Sequence, residues 1–148
     1  MAYHNAIENT LGGDPTLAGL LAPAINQPAN LNTSVIYDTA PAHMNMPWVL
    51  FWSVGGPPPA YTFEKDYTEP LQLQFDAYGE DSDVVLQIGA QIDKLLNWQS
   101  IAIDNARLMK FERTSPLEDL HMEEEVDEGD MDVWRLTLLY EMTLIRSL

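Results

Sequence analysis

The sequence contains no cysteine. Disulfides, thiolate metal sites and cysteine nucleophiles are therefore excluded, and the chain suits a reducing compartment. Positive charge is scarce: seven Lys and Arg face 23 Asp and Glu, a formal net charge of −16. Phosphate backbones would be repelled by such a surface, so general nucleic-acid binding is excluded as a role. No apolar run approaches the roughly 20 residues that span a bilayer. The N-terminus lacks a basic stretch followed by an apolar one, so no cleaved leader is expected. Catalytic signatures are missing too, with no H-E-x-x-H, G-x-S-x-G or G-x-G-x-x-G. His4, His43 and His121 are far apart and in unlike contexts. No cofactor or metal is expected, and no enzymatic role, because the densest carboxylates share one loop rather than converging on a pocket.

What is present is enough for one domain. The chain has 148 residues, 46% of them hydrophobic, which is ample for a single core. The longest clean pattern is the last, D-V-W-R-L-T-L-L-Y-E-M-T-L-I-R-S-L. Trp134, Leu136, Leu138, Tyr140, Met142 and Leu144 recur at period two and predict the buried face of a long strand. Arg135, Thr137, Glu141, Thr143 and Arg146 are assigned to its wetter side.

Earlier segments supply partners for that strand. Residues 1–22 read as two short helices. Gly12-Gly13 ends the first, and Asp14-Pro15 starts the second as N-cap and first helical residue. Residues 23–33 are loop, and Ser34 to Thr39 reads as a short strand. His43 sits in the next loop. Pro47 to Val54 is apolar on both alternating faces, which predicts a central strand covered on both sides, with Trp48 and Trp52 packed in the core. Gly55-Gly56-Pro57-Pro58-Pro59 stops it as a stiff connector. It is no phosphate loop, since the prolines remove amide donors. Pro70 to Gly79 alternates, with Leu71, Leu73, Phe75 and Ala77 on one face and Gln72, Gln74, Asp76 and Tyr78 on the other. A helix capped by Asp81 or Ser82 then runs to about Trp98, with Val84, Val85, Ile88, Ile92, Leu95 and Leu96 as its apolar stripe.

Ala106 to Thr114 has strand character and pairs with the final strand as a long hairpin. Its tip, 118–132, carries Glu123, Glu124, Glu125, Asp127, Glu128, Asp130 and Asp132. That tip lacks the D-x-D-x-D-G spacing of a calcium loop, and its like charges keep it solvated. Arg107, Lys110, Arg113 and Arg135 form the main basic cluster, available either to a neighbouring chain or to acids across the hairpin. The expected fold is α+β: a mainly antiparallel sheet of about four to five strands with a long C-terminal hairpin, packed against one main helix plus short N-terminal helices. Residues 34–148 form its α+β core.

The succession of P-W-V-L-F-W, L-Q-L-Q-F-D-A-Y-G, D-V-V-L-Q-I-G-A-Q-I-D-K-L-L and a closing strand hairpin resembles the tail completion and tail terminator proteins of long-tailed phages. The likeness runs from about Ser34 to the C-terminus, and the N-terminal helices suit it. It implies a structural virion protein of the tail–neck region, assembled in the host cytoplasm. It implies a homo-oligomeric ring, usually a hexamer, at the head-proximal end of the tail tube. Such a ring ends tube polymerisation and offers a surface to the head connector or stopper protein. Six copies of a −16 chain amount to roughly −96 around a channel through which DNA passes without specific binding. Under that resemblance the acidic residues from Glu123 to Asp132 are candidates for the lumen or for ring stacking, and the basic cluster for the subunit interface. The competing readings are a soluble binding or adaptor module outside virions, and a neighbouring head–tail connector or stopper.

Overall fold

A computed structural model of the chain describes residues 2–28, 33–55, 60–61, 66–104, 106–123 and 132–147. In order, the elements are α1 (Ala2–Gly12), α2 (Pro15–Leu20), a 3-10 turn (Ala24–Asn26), β1 (Val35–Tyr37), β2 (Trp48–Gly55), β3 (Ala60–Tyr61), β4 (Asp66–Gly79), α3 (Ser82–Leu96), β5 (Arg107–Arg113), β6 (Leu120–Glu123) and β7 (Val133–Ser147). The class is α+β, as expected, with helices gathered on one face of a single sheet.

The sheet has seven strands, more than the four to five expected, and its main path runs β1-β2-β4-β7-β5. The two extra strands are short: β3 pairs with β4, and β6 with β7. All pairings are antiparallel except β1 with β2, which is parallel, so the sheet is mixed. The ladder between β4 and β7 is its spine, from Asp66 opposite Ser147 to Gly79 opposite Trp134. Here β4 begins four residues before Pro70. That proline falls between the Gly55–Gln72 and Ala60–Thr68 pairs, in the gap between β2 and β3, where a missing N–H costs least.

The long hairpin is present, but its first arm is in two pieces. Both β5 and β6 pair with β7, end to end. Pro116 cannot donate to a ladder, and the gap is bridged otherwise. Thr114 donates its N–H to the Leu139 carbonyl at 2.8 Å, Leu139 donates to Ser115 Oγ at 2.9 Å, and Thr137 donates to the Asp119 carbonyl at 3.1 Å.

Period-two patterning holds along β4 and β7. Leu73, Phe75 and Ala77 are buried beside Leu136, Leu138, Tyr140, Met142 and Leu144. These side chains meet Val85, Ile88, Ile92 and Leu96 of α3 and Ile7, Leu11 and Leu17 of the N-terminal helices in one core. Arg146 is not on the wetter side. Its even number places it with Leu144, and its Nε donates to Glu69 Oε2 at 2.5 Å at the rim of the core.

The β2 strand also departs from expectation. It lies second from the edge rather than at the centre, and helices cover one of its faces, not both. Val49 and Phe51 are buried, whereas Trp48, Leu50 and Trp52 are half-buried on the face turned away from the helices. Trp48 stacks on Tyr78 with ring centroids 4.6 Å apart, so the two aromatics shield one another.

Local caps act as their residue types dictate. Asp14 accepts from the N–H of Leu17 at 2.9 Å, and Asp81 from that of Asp83 at 2.9 Å. Each such cap contributes about 1 kcal/mol. The helix–sheet contact is closest at Gly89, where an added Cβ would stand 2.0 Å from Leu136 Cδ2. Leu136 is itself buried in the core, so moving its methyl aside presses it on packed neighbours. Gly89→Ala should therefore destabilise the fold by about 1–3 kcal/mol, against the roughly 1 kcal/mol that alanine normally adds inside a helix. Urea denaturation of the two proteins checks the sign.

Candidate assembly surfaces

The basic cluster sits on two strands. Arg107, Lys110 and Arg113 belong to β5, and Arg135 to β7. Arg113 is committed within the chain. Its Nε donates to Asp93 Oδ1 of α3 at 2.9 Å, and its Nη1 donates to the Ser115 carbonyl at 2.5 Å. Tyr140 of β7 donates its hydroxyl to the same Asp93 oxygen at 2.8 Å. One carboxylate thus ties α3 to β5 and β7. Burial, and then the bond to Asp93, push the Tyr140 phenol well above the usual tyrosine range. Lys110 lies 3.0 Å from Glu112 and 3.5 Å from Glu141, and the Glu112 hydrogen bond holds its ammonium above the ordinary lysine value. Arg135 is half-buried opposite His121 and Tyr78, and Arg107 is exposed.

Among the acidic candidates, Glu123 ends β6, and Asp132 is exposed just before β7. Glu124, Glu125, Asp127, Glu128 and Asp130 lie outside the described residues. The described residues that flank that segment, Glu123 and Asp132, lie at the end of the short pairing of Leu120 to Glu123 with Val133 to Leu136.

The face of the sheet opposite the helices carries Trp48, Leu50, Trp52, Tyr78 and Leu139, all half-buried, around a polar centre. Asp76 is 2% exposed there. It accepts from Thr137 Oγ1 at 2.8 Å and from Gln74 Nε2 at 3.2 Å, which is how a carboxylate on the wetter face of β4 comes to be covered. Near α1, Tyr3 and Tyr37 share a hydroxyl contact of 2.9 Å, and His4 stacks on Tyr37 at 4.4 Å. Burial and then the Tyr37 bond raise the Tyr3 phenol.

None of this resembles a catalytic pocket. An open groove of about 620 Å³ between α2 and α3 is lined by Thr16, Gly19, Leu20, Gln87, Ala90 and Lys94, which offer no acid–base pair. Among the described residues no three His, Asp or Glu converge as a metal set, and no helix is long and apolar enough to cross a membrane.

One surface was missed by the motif reading, although the sequence carries its signal. Between Asp14 and Glu64, Asp38 is the single charged side chain. That stretch folds into α2, the 3-10 turn, β1 and β2, so one edge of a strongly acidic protein is nearly free of charge. Ile25 projects from this region at 89% exposure. At the opposite edge, beside β5, Trp98 and Met109 are each 63% exposed.

No protein-family model matches the chain, and no curated protein matches it. Among solved structures, the chain superposes on a chain from a particle described as "Virion of native gene transfer agent (GTA) particle". The TM-score is 0.67 at 15% sequence identity, over 97% of this chain and 94% of that one. At that identity the likeness establishes a shared fold across nearly the full length of both chains.

Two measurements probe the Asp93 node. Tyr140→Phe removes one hydrogen bond and should cost about 1 kcal/mol at neutral pH. The raised phenols of Tyr140 and Tyr3 keep their protons in the folded state where an unfolded tyrosine loses them. Their contribution is thus complete below about pH 10 and declines above it, by at most about 1.4 kcal/mol per pH unit for each. Denaturation at pH 8 and pH 11 should show a smaller alkaline loss in Tyr140→Phe than in the unmodified chain.

Proposed function

We propose that this chain is a structural protein of a phage-like virion. It assembles as a closed ring, of six copies by the resemblance in its sequence, at the head-proximal end of a tail tube. There it ends tube polymerisation and joins the tail to the head connector. The observation that carries this reading is the fold shared, nearly end to end, with a chain of a gene transfer agent virion. A tail-terminator resemblance in the strand–helix–hairpin succession points the same way.

The charge fits such a place. A channel for DNA must not hold DNA, and a wall of carboxylates repels phosphate. In this reading Glu123, Glu124, Glu125, Asp127, Glu128, Asp130 and Asp132 line the lumen or face the next ring. The subunit interface draws on the β5 strand, where exposed Arg107 is available to a neighbour's acid while Lys110 and Arg113 also brace the subunit internally. Arg135 stands apart from them, on the part of β7 that pairs with β6. The protein acts by shape and charge, without catalysis or cofactor.

Electron microscopy of lysates lacking this gene product tests the role. Full heads beside separate, unattached or overlong tails are expected. Heads that leak DNA beside tails of normal length would reassign the chain to the connector or stopper position, and normal particles would overturn a virion role in favour of a soluble adaptor. Replacing Glu123, Glu124 and Glu125 together by Lys should lower the yield of DNA-delivering particles by roughly tenfold or more, because phosphate would then stick to the wall. An unchanged yield would remove the tip from the channel.

A further inference from the structure

We infer that the ring closes edge to edge, with Ile25 of one subunit entering the recess beside Trp98 and Met109 on the β5 edge of the next copy. This rests on the ring-forming role proposed above and names the contact that would close it.

Both features are held rigidly although they are exposed. Ile25 rides on the 3-10 turn Ala24–Asn26, and the turn is pinned from below by Gln27, itself 5% exposed. The Gln27 amide donates to Ser34 Oγ at 3.0 Å and to the Asn45 carbonyl at 2.6 Å, while its oxygen accepts from the Asn45 N–H at 2.6 Å. Ser34 Oγ in turn donates to the Ala22 carbonyl at 2.6 Å. A buried amide satisfied on both ends is a costly way to fix a loop unless the loop's position matters. What it fixes is an isoleucine pointing into water.

The opposite edge is equally specified. Trp98 follows the C-cap Asn97 and has φ of +59°, a left-handed conformation usually left to glycine at the end of a helix. It is held there by its N–H donating to the Phe111 carbonyl at 2.7 Å and by the Arg113 N–H donating to Asn97 Oδ1 at 2.9 Å. A tryptophan kept in a strained backbone and yet 63% exposed points to a role outside the subunit. Next to it, the register slips between Leu108 and Lys110, and Met109 is turned outward. Trp98, Leu108, Met109 and Phe111 form the apolar wall of an open recess of about 160 Å³, whose remaining lining is Gln99, Ser100 and Lys110. An enclosed apolar cavity of ~150 Å³ holds a benzene ring, so this open recess has room for a branched aliphatic side chain along its apolar wall.

The occupant is a second copy for two reasons. A closed ring uses two different patches of one chain, placed so that each copy offers one and receives the other. The strand order puts β1 and β5 at opposite edges of the sheet, about 19 Å apart across the strands; the turn that carries Ile25 is tied to Ser34, next to β1, and Met109 lies on β5. Charge gives the second reason. Chains of −16 repel one another, and the side that carries Ile25 has Asp38 as its single charge between Asp14 and Glu64. It would face the β5 edge, where Lys110 and Arg113 are balanced by Glu112, Glu141 and Asp93 and Arg107 is exposed, so this is where two such chains can approach with least repulsion.

Light scattering with size exclusion, and negative-stain imaging, test this on the full chain. The unmodified protein should form rings. Ile25→Asp and Trp98→Gly should each lower the mass about sixfold, to the 16.7 kDa of one chain, while the chain stays folded, since both side chains are exposed and glycine suits the Trp98 backbone. Mixed in equal amounts, the two variants should form a heterodimer, because one keeps the recess and the other keeps Ile25. Rings from either variant, or a mixture that stays monomeric, would overturn this contact while leaving the ring itself in place. An unmodified chain that stays monomeric at every concentration would overturn the ring along with it.

Discussion

The antiparallel ladder between β4 and β7 is the constraint on which the other elements depend. Two strands of some 14 or 15 residues lie in register along their length, each apolar on the side that faces the helices. A one-residue slip would turn Leu136, Leu138, Tyr140, Met142 and Leu144 to the other face, so burial fixes the register as firmly as the hydrogen bonds do. Everything else attaches to this spine. On one side β2 and β3 follow β4, and on the other β5 and β6 follow β7. Above it α3 is drawn so close that Gly89 has no space for a side chain. Asp93 then locks the helix to the two strands beneath through Tyr140 and Arg113.

Electrostatics divides the molecule in a second way. Acids dominate the chain, yet the bases are not spread evenly among them. Arg113, Lys110 and Arg146 are each matched to a carboxylate inside the subunit, which leaves most of the surplus negative charge on exposed positions and at the hairpin tip. The β1–β2 side escapes this field because its sequence has almost no ionisable groups. A protein so arranged repels phosphate broadly and its own copies almost everywhere, except along a neutral edge. In the ring role proposed above, both properties are useful.

Much of the fold was legible because it rests on local signals. Period two in Leu71 to Ala77 and Leu136 to Leu144, the three- and four-residue spacing in α3, and Asp14-Pro15 as a helix start each depend on neighbours in the chain. Those readings held, with β4 longer and the sheet richer by two short strands. Trp48 and Trp52 went the other way. An unbroken apolar run cannot say whether both its faces are covered, and here tertiary arrangement left one face without helices over it, where Trp48 stacks on Tyr78. Arg146 shows the complementary point: its parity was in the sequence, but the partner that makes its position tolerable, Glu69, is 77 residues away.

The candidate surfaces divide in the same manner. The acidic tip and the basic cluster were visible as composition, since charge is counted without a structure. The near-neutral run from Pro15 to Phe63 was equally visible, but it acquired meaning when β1 and β2 came to lie at one edge of the sheet and β5 at the other. By itself the sequence determined the helices, the longer strands, most of their buried faces and the total charge, because each follows from the side chains of consecutive residues. Tertiary structure alone decided which edges were left open, which arginines were occupied, and that Ile25 and Trp98 are held outward, because those outcomes depend on contacts between residues distant in the chain.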